Sequence, residues 1–179
     1  VLGIYPALDA IFQLYHFVGI DFGLIVYLGE WTSHLVVVQG GRWHSARTIP
    51  FGYGVIRNEF ARECNLEPSE AGSLLNSLPP DAVDREQSYF RRERGLKAAQ
   101  AKKVVPTLKR FIRSFHLEVE VTLQFLPEEE HATFPLVAAS DIENRLLFES
   151  LLMSQLNQPV TAFPYDRTPA AHLPREYTL

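Results

Sequence analysis

The chain has one cysteine, Cys64, and one methionine, Met153, among 179 residues. A single cysteine cannot close an internal disulfide or build a multi-cysteine zinc site. Cys64 therefore reads as a small buried or half-buried thiol in a reducing compartment. No local motif supplies the partner histidine and electropositive setting that a reactive thiolate needs. Long apolar runs are also missing. The longest apolar zone, Ala10 to Leu28, is interrupted by His16 and Asp21 and broken up by Gly19 and Gly23. That argues against a membrane-spanning helix. No basic-then-apolar signal segment opens the chain. Internal repeats and low-complexity tracts are absent. The first residue is Val1, and the expectation is a piece of a longer protein.

What is present is a globular composition: 46% apolar and 21% charged residues. That excludes wholesale disorder, and the length suits one domain with or without a small inserted lobe. The formal charge is −4, but it is unevenly spread. Arg85 to Arg113 holds ten Lys/Arg and two Glu, a local balance of +8, so the remainder carries −12.

Hydrophobic periodicity orders the elements. Pro6 to Phe17 reads as a helix with Ala7, Ile11, Leu14 and Val18 on one stripe. Gly23–Leu28 reads as a strand buried on both faces, followed by strands over Ser33–Val38 and Arg42–Ile49. Gln39-Gly40-Gly41 between the last two is a hairpin signal, because tight hairpin turns need positive φ. A helix is predicted from Val55 to Cys64 with Asn65 ending it, and a second over Glu67 to Leu75, stopped by Pro79-Pro80. Val83 to Phe115 reads as mostly helical, with Gly95 and Pro106 as breaks or kinks. Leu117–Phe125 alternates apolar and polar residues and is predicted as a half-exposed strand. Pro127–His131 reads as a loop and Thr133–Ala138 as a strand. Ser140 or Asp141 is expected to cap a helix from Ile142 to Leu156. A short strand over Pro159–Phe163 and an irregular tail complete the reading.

The ordered pieces resemble a known family. Tyr27-Leu28-Gly29-Glu30-Trp31-Thr32-Ser33, Ile49-Pro50-Phe51-Gly52-Tyr53, Asn58-Glu59-Phe60-Ala61 and Glu70-Ala71-Gly72-Ser73-Leu74-Leu75 match, in order and spacing, the second half of actin-like ATPases. The likeness is to the FtsA-type and PilM-type proteins especially. There a strand carries Asp-x-Gly-x-x-Thr-Thr, a hairpin and an Ile-Pro-x-Gly-Gly turn follow, and an Ala-Glu-x-x-Lys helix comes next. Leu136-Val137-Ala138-Ala139-Ser140, followed by a helix and Gln158-Pro159-Val160, stands where the family has its adenosine loop. The resemblance covers about residues 7 to 163. It implies an α/β, actin-like (ribonuclease H-like) fold: a mixed five-stranded sheet flanked by helices. A small, basic, mostly helical insert is expected at about 66–116 of a single lobe.

The departures from the family pattern carry the functional expectation. The position of the family's Mg²⁺-holding Asp is Tyr27, and a neutral phenol does not replace a carboxylate toward a hard cation. Glu30 and Trp31 add bulk and negative charge to a turn whose glycines let backbone N–H groups approach phosphate. Gly29, Thr32 and Ser33 survive there, and Gly52 survives in the following turn. The nucleoside-contacting Glu and Lys become Gly72 and Leu75, and the adenosine-loop Gly-Gly becomes Ala138-Ala139. The resemblance thus implies a non-catalytic scaffold of a type IV pilus assembly machine. It would be cytoplasmic and peripheral to the bacterial inner membrane, bind bitopic membrane partners, and use no cofactor and no metal. The rivals are a working ATP- and Mg-binding protein of the PilM or FtsA type, and the L-type component of a type II secretion system.

Other candidates are weaker. His34 and His44 lie on the predicted hairpin, but their offset does not make them a facing metal pair. Glu128-Glu129-Glu130 lacks the regular acidic spacing of a Ca²⁺ loop. Arg91, Arg92, Arg94, Lys97, Lys102 and Lys103 form a candidate basic interaction surface for an anionic membrane or an acidic partner. The nearby aromatics form no nucleic-acid motif, so no nucleic acid is expected.

Overall fold

Three antiparallel strands open the described part of the chain: β1 (Gly23–Leu28), β2 (Ser33–Gln39) and β3 (Arg42–Ile49). The structure is a computed structural model, and it describes residues 19, 21–124, 135–140, 143–155 and 160–162. The predicted helix over 6–17, the loop over 127–131 and the tail lie outside those residues. Gly40 and Gly41 take φ of 57° and 66°, the left-handed conformation a tight hairpin demands. The meander is as the sequence predicts. One irregularity, a shift in register between Val37 and Val38, leaves His44 without a partner opposite.

The chain then turns helical: α1 (Tyr53–Cys64), α2 (Pro68–Ser77), a 3-10 turn (Ala82–Asp84), α3 (Gln87–Arg92) and α4 (Ala98–Leu123). It returns to the sheet as β4 (Leu136–Ser140), crosses back through α5 (Arg145–Gln155) and ends as β5 (Val160–Ala162). The sheet order is β3-β2-β1-β4-β5, with β4 parallel to both β1 and β5. This is the mixed five-stranded sheet the family resemblance implies.

Local chemistry explains the helix ends. Asn65 sits at φ 52° and closes α1 in the left-handed C-cap conformation. The Glu70 carboxylate accepts from the Glu67 amide at 3.0 Å to cap α2. Asn144, not Ser140, caps α5: its Oδ1 accepts from the Leu147 amide at 3.3 Å. Ser140 instead ends β4, where its hydroxyl donates to the Leu28 carbonyl at 2.8 Å.

One predicted element is wrong. Leu117–Leu123 is the last part of α4, not a strand. Phe115, Val119 and Leu123 are buried, as alternation requires, but Leu117 and Val121 are 53% and 38% exposed. Positions four apart share a face in either period. Here the stripe continues the burial of Val104, Leu108, Phe111 and Ile112 at helical spacing. Extending an existing helix is far cheaper than nucleating a new element. Pro106 does not end the helix either. It is exposed, so the Lys102 carbonyl it leaves without an i+4 donor faces water.

The core lies between the sheet and the helices. Leu24, Val26, Leu28, Leu35 and Val37 pack with Phe60, Leu75, Phe90, Leu108, Phe115 and Leu152 in one cluster. The stretch expected as an insert shares this core. Aromatic rings tie its layers: Phe51 meets Phe111 and Phe115 at centroid distances of 5.5 and 5.7 Å, and Phe115 meets Phe148 edge-on at 5.6 Å. Ile25, Val36 and Val38 on the opposite face are also buried.

Two substitutions separate helix from strand. Phe115→Ala should cost about 3–5 kcal/mol in denaturant unfolding, the usual cost of emptying a large core site. Leu117→Ala should stay within about 0.5 kcal/mol, as an exposed helical change does. A large loss at Leu117 would restore the strand.

Candidate functional site

The loop joining β1 to β2 (29–32) docks onto the start of α1. The amides of Tyr53 and Gly54 donate to the carbonyls of Gly29 and Glu30 at 2.9 and 2.7 Å. The next two amides, Val55 and Ile56, both donate to the Gly52 carbonyl, at 3.0 and 3.2 Å. Three of the N–H groups that a helix leaves open at its start, those of Tyr53, Gly54 and Val55, are therefore satisfied by the chain itself, and Ile56 makes the first regular helical bond. This approach requires glycine. A Cβ on Gly52 would lie 2.6 Å from the Glu30 carbonyl oxygen, and one on Gly54 would lie 2.7 Å from the Trp31 ring. Trp31 thus rests on the Gly54 backbone while remaining 61% exposed.

One turn along α1, Arg57 reaches back over this loop. Its guanidinium meets the Glu30 carboxylate at 2.9 Å and stands over the Tyr53 ring, 5.9 Å from its centroid. Its stem lies against Gly72 on α2: a Cβ there would meet Arg57 Cδ at 3.2 Å. Tyr53 continues the chain of contacts. Its hydroxyl donates to Asn76 Oδ1 at 2.5 Å, and Asn76 Nδ2 donates to the Glu143 carboxylate. Asn144 next door donates to the Leu75 and Leu78 carbonyls at 2.8 and 2.9 Å. Polar side chains so run from the β1–β2 loop, across the faces of α1 and α2, to the segment before α5. Burial pushes the Tyr53 phenol up to about 12, an effect that Arg57 opposes and Glu30 and Glu143 reinforce.

The predicted site residues fall at several separate places in the fold. Gly29 and Thr32 belong to the docked loop, with the Gly29 amide donating to the Thr32 carbonyl at 3.1 Å, and Gly52 is the N-cap residue against which it docks. Ser33 is fully buried and its hydroxyl donates to the Phe51 carbonyl at 2.5 Å. Tyr27 is half-buried and stacks on His34 at 6.0 Å; His34 in turn contacts Thr48 Oγ1 at 2.9 Å. Leu75 belongs to the core and borders an apolar void of about 30 Å³, at most one water in size. Ala138 is buried opposite Val26, and Ala139 pairs with Tyr27 across the parallel ladder. Gly72 faces the Arg57 stem. His34 and His44 do not meet. Among the described residues no cluster of three or more metal-ligating side chains occurs.

The six basic candidates do not form one surface. Arg94 is half-buried and structural, donating to the Ser77 carbonyl at 2.5 Å and to the Tyr89 hydroxyl at 2.9 Å. Arg94 and Lys97 border an open groove of about 830 Å³ against Ser69, Ser73 and Ser77 of α2, away from the β1–β2 loop. Arg91, Arg92, Lys102 and Lys103 are exposed on α3 and α4. Sequence reasoning missed Arg57, Tyr53, Asn76 and Glu143. The signal lay in Tyr53 and Arg57 being four residues apart, but it is readable only once the helix is known to begin at Tyr53 and not at Val55. Cys64 is buried, its thiol pushed up to about 11 by that burial, as befits an unreactive core cysteine.

Comparison with solved structures shows the fold. The chain superposes on the ethanolamine utilization protein EutJ from Carboxydothermus hydrogenoformans with a TM-score of 0.58 at 15% identity, over 84% of this chain and 47% of that one. It superposes on MreB 5 of Spiroplasma citri bound to AMPPNP with a TM-score of 0.58 at 10% identity, over 86% and 52%. A PilM-PilN type IV pilus biogenesis complex gives 0.56 at 15% identity, over 94% and 44%. The chain therefore has an actin-like fold, and it spans about half the length of these proteins. No protein-family model matches it, and no curated protein sequence does.

Two glycines with different neighbours give a test. Gly52→Ala should destabilise by about 1–3 kcal/mol or more, because backbone must move. Gly72→Ala meets only a flexible arginine stem and should be neutral or stabilising by up to about 1 kcal/mol, the helix-propensity gain. Equal losses at both would contradict the docked loop. Tyr53 gives a second test. The folded state holds its phenolic proton more tightly than the unfolded chain, so stability should fall as pH rises from about 10 to about 12. Tyr53→Phe should remove that part of the alkaline loss in urea unfolding curves; an unchanged slope would contradict the burial of the hydroxyl.

Proposed function

We propose that this chain is a non-catalytic, actin-like scaffold that works without ATP or Mg²⁺, serving a type IV pilus assembly machine at the cytoplasmic face of the inner membrane. One observation carries the reading. Arg57 bridges Glu30, on the loop corresponding to the phosphate loop, and Gly72, at the position corresponding to the nucleoside-contacting Glu. In this reading a single side chain of the protein lies between the positions that would contact phosphate and nucleoside.

The magnitudes decide how this matters. The Glu30 and Arg57 side chains are 40% and 28% exposed, and such a pair contributes about 0–1 kcal/mol. A ligand of micromolar affinity brings about 8 kcal/mol, so the ion pair alone would not keep one out. What counts is that none of the described residues at the corresponding positions replaces the lost contacts. Tyr27 offers no carboxylate to Mg²⁺, Glu30 sets a negative charge against phosphate, Leu75 is in the core, and the four amides opening α1 are already bonded. These residues do not fit Mg-ATP.

The likeness to a PilM-PilN type IV pilus biogenesis complex supports a role in holding a membrane-anchored partner. No helix among the described residues is long and apolar enough to cross a membrane, so in this reading the chain itself stays peripheral. Calorimetric titration of the full-length protein with Mg-ATP should give no saturable heat at millimolar nucleotide. Micromolar, Mg-dependent binding would sink the proposal in favour of a working ATPase.

A further inference from the structure

The basic stretch that the fold places on α3 and α4 has a use the nucleotide cleft does not explain. Along α4, Lys102, Lys109, Arg113 and Leu117 follow one another at spacings of seven, four and four residues, which puts them on one outer stripe. All four are exposed, and the stripe is about 22 Å long at the helical rise. The opposite side of the helix is fixed in the core through Val104, Leu108, Ile112 and Phe115. Arg85, Ser88, Lys102, Val105 and Pro106 border a shallow groove between α3 and α4. Arg91 and Arg92, three and four residues beyond Ser88, share its face of α3. They therefore extend the same surface.

These cations are available. Lys102, Lys109, Arg113, Arg91 and Arg92 have no ion-pair partner among the described residues, whereas Arg85 is paired with Asp81 at 2.5 Å and Arg110 with Glu63 at 3.4 Å. The acids on this side are few. Glu86 borders the groove, Asp84 is nearby, and Glu120 contacts His116 at 3.5 Å. Beyond the cations, Leu117 and Val121 expose aliphatic surface, 53% and 38%.

We infer that this face of α3 and α4 docks on an anionic lipid bilayer, with α4 lying along the membrane plane. A row of cations with no ion-pair partner among the described residues, ending in exposed aliphatic side chains, matches anionic headgroups above an acyl layer. It matches nucleic acid less well, because Phe90, Phe111 and Phe115 are buried and cannot stack on bases. The acidic remainder of the chain, at −12, is repelled by the same surface, so the charge asymmetry also orients the molecule. The inference does not depend on the nucleotide reading: an ATP-binding result would leave it standing.

The test is co-sedimentation of the full-length protein with vesicles of phosphatidylcholine, with and without phosphatidylglycerol. Binding should need the anionic lipid and weaken at high salt. Each cation neutralised should weaken it by about fivefold, and Lys109→Glu with Arg113→Glu together by more than about tenfold. Leu117→Ser should weaken binding without changing its salt dependence. Arg42→Glu, an exposed change on the edge strand β3, should leave it unaltered. All these sites are exposed, and circular dichroism is the check that each variant folds. No binding to anionic vesicles, or binding that the double reversal leaves within about twofold, overturns the inference. So does capture of polyglutamate or an oligonucleotide with no vesicle binding.

Discussion

The structure turns on the close approach of two backbones, where the Gly29 and Glu30 carbonyls accept from the first two amides of α1. Gly52 and Gly54 make that approach sterically possible, since a Cβ at either would strike the loop. Once α1 is seated this way, its direction over the sheet is fixed. Arg57 then falls one turn along, within reach of Glu30 and against α2. Tyr53 points toward Asn76, and Asn76 toward Glu143. Phe60, Ala61 and Cys64 follow at helical spacing into the core. The feature that fixes the fold is thus the one that positions the candidate site.

The same geometry gives a physical account of how an actin-like lobe can keep its architecture while changing its use. The sheet order and the loop-to-helix hydrogen bonds are backbone properties and, apart from the glycines at 52 and 54, tolerate many side chains. Contacts to a metal or a nucleotide come from a few side chains at fixed places, and those are free to change. Tyr27 stacks on His34, and Leu75 belongs to the core. Each has found a structural partner within the lobe. Phe51, Phe111, Phe115 and Phe148 form an aromatic layer in the same core, and Phe148 borders the small void that Leu75 lines.

Much of the fold was legible in the residues. Gly40-Gly41 marks the hairpin because only positive φ closes it. Asn65 marks the end of α1 for a related reason, and the apolar run of β1 announces burial on both sides. The stretch from Leu117 to Leu123 was misread because Phe115, Val119 and Leu123 are four apart, a spacing common to both periods. The choice is made by the helix already running from Ala98, which local alternation does not reveal. The cap on α5 was misassigned to Ser140 or Asp141 because several polar residues precede that helix. Only the fold shows Asn144 also reaching the Leu75 and Leu78 carbonyls. The family positions could be aligned from sequence, yet the Arg57 crossing could not. It depends on α1 and α2 packing side by side, and no spacing along the chain encodes that distance. Likewise the basic stretch was visible as charge, but its division into a structural Arg94 and an open row on α4 required the helix axes.

The central claim is that Arg57 occupies the space between Glu30 and Gly72 and is not displaced by nucleotide. Nitrogen-resolved NMR of the full-length protein reads this directly through the Arg57 guanidinium and the Trp31 indole signals. The account predicts that both stay in place as Mg-ATP is added to millimolar concentration. Saturable shifts of both signals at micromolar Mg-ATP, with loss of the Glu30 contact, would contradict it.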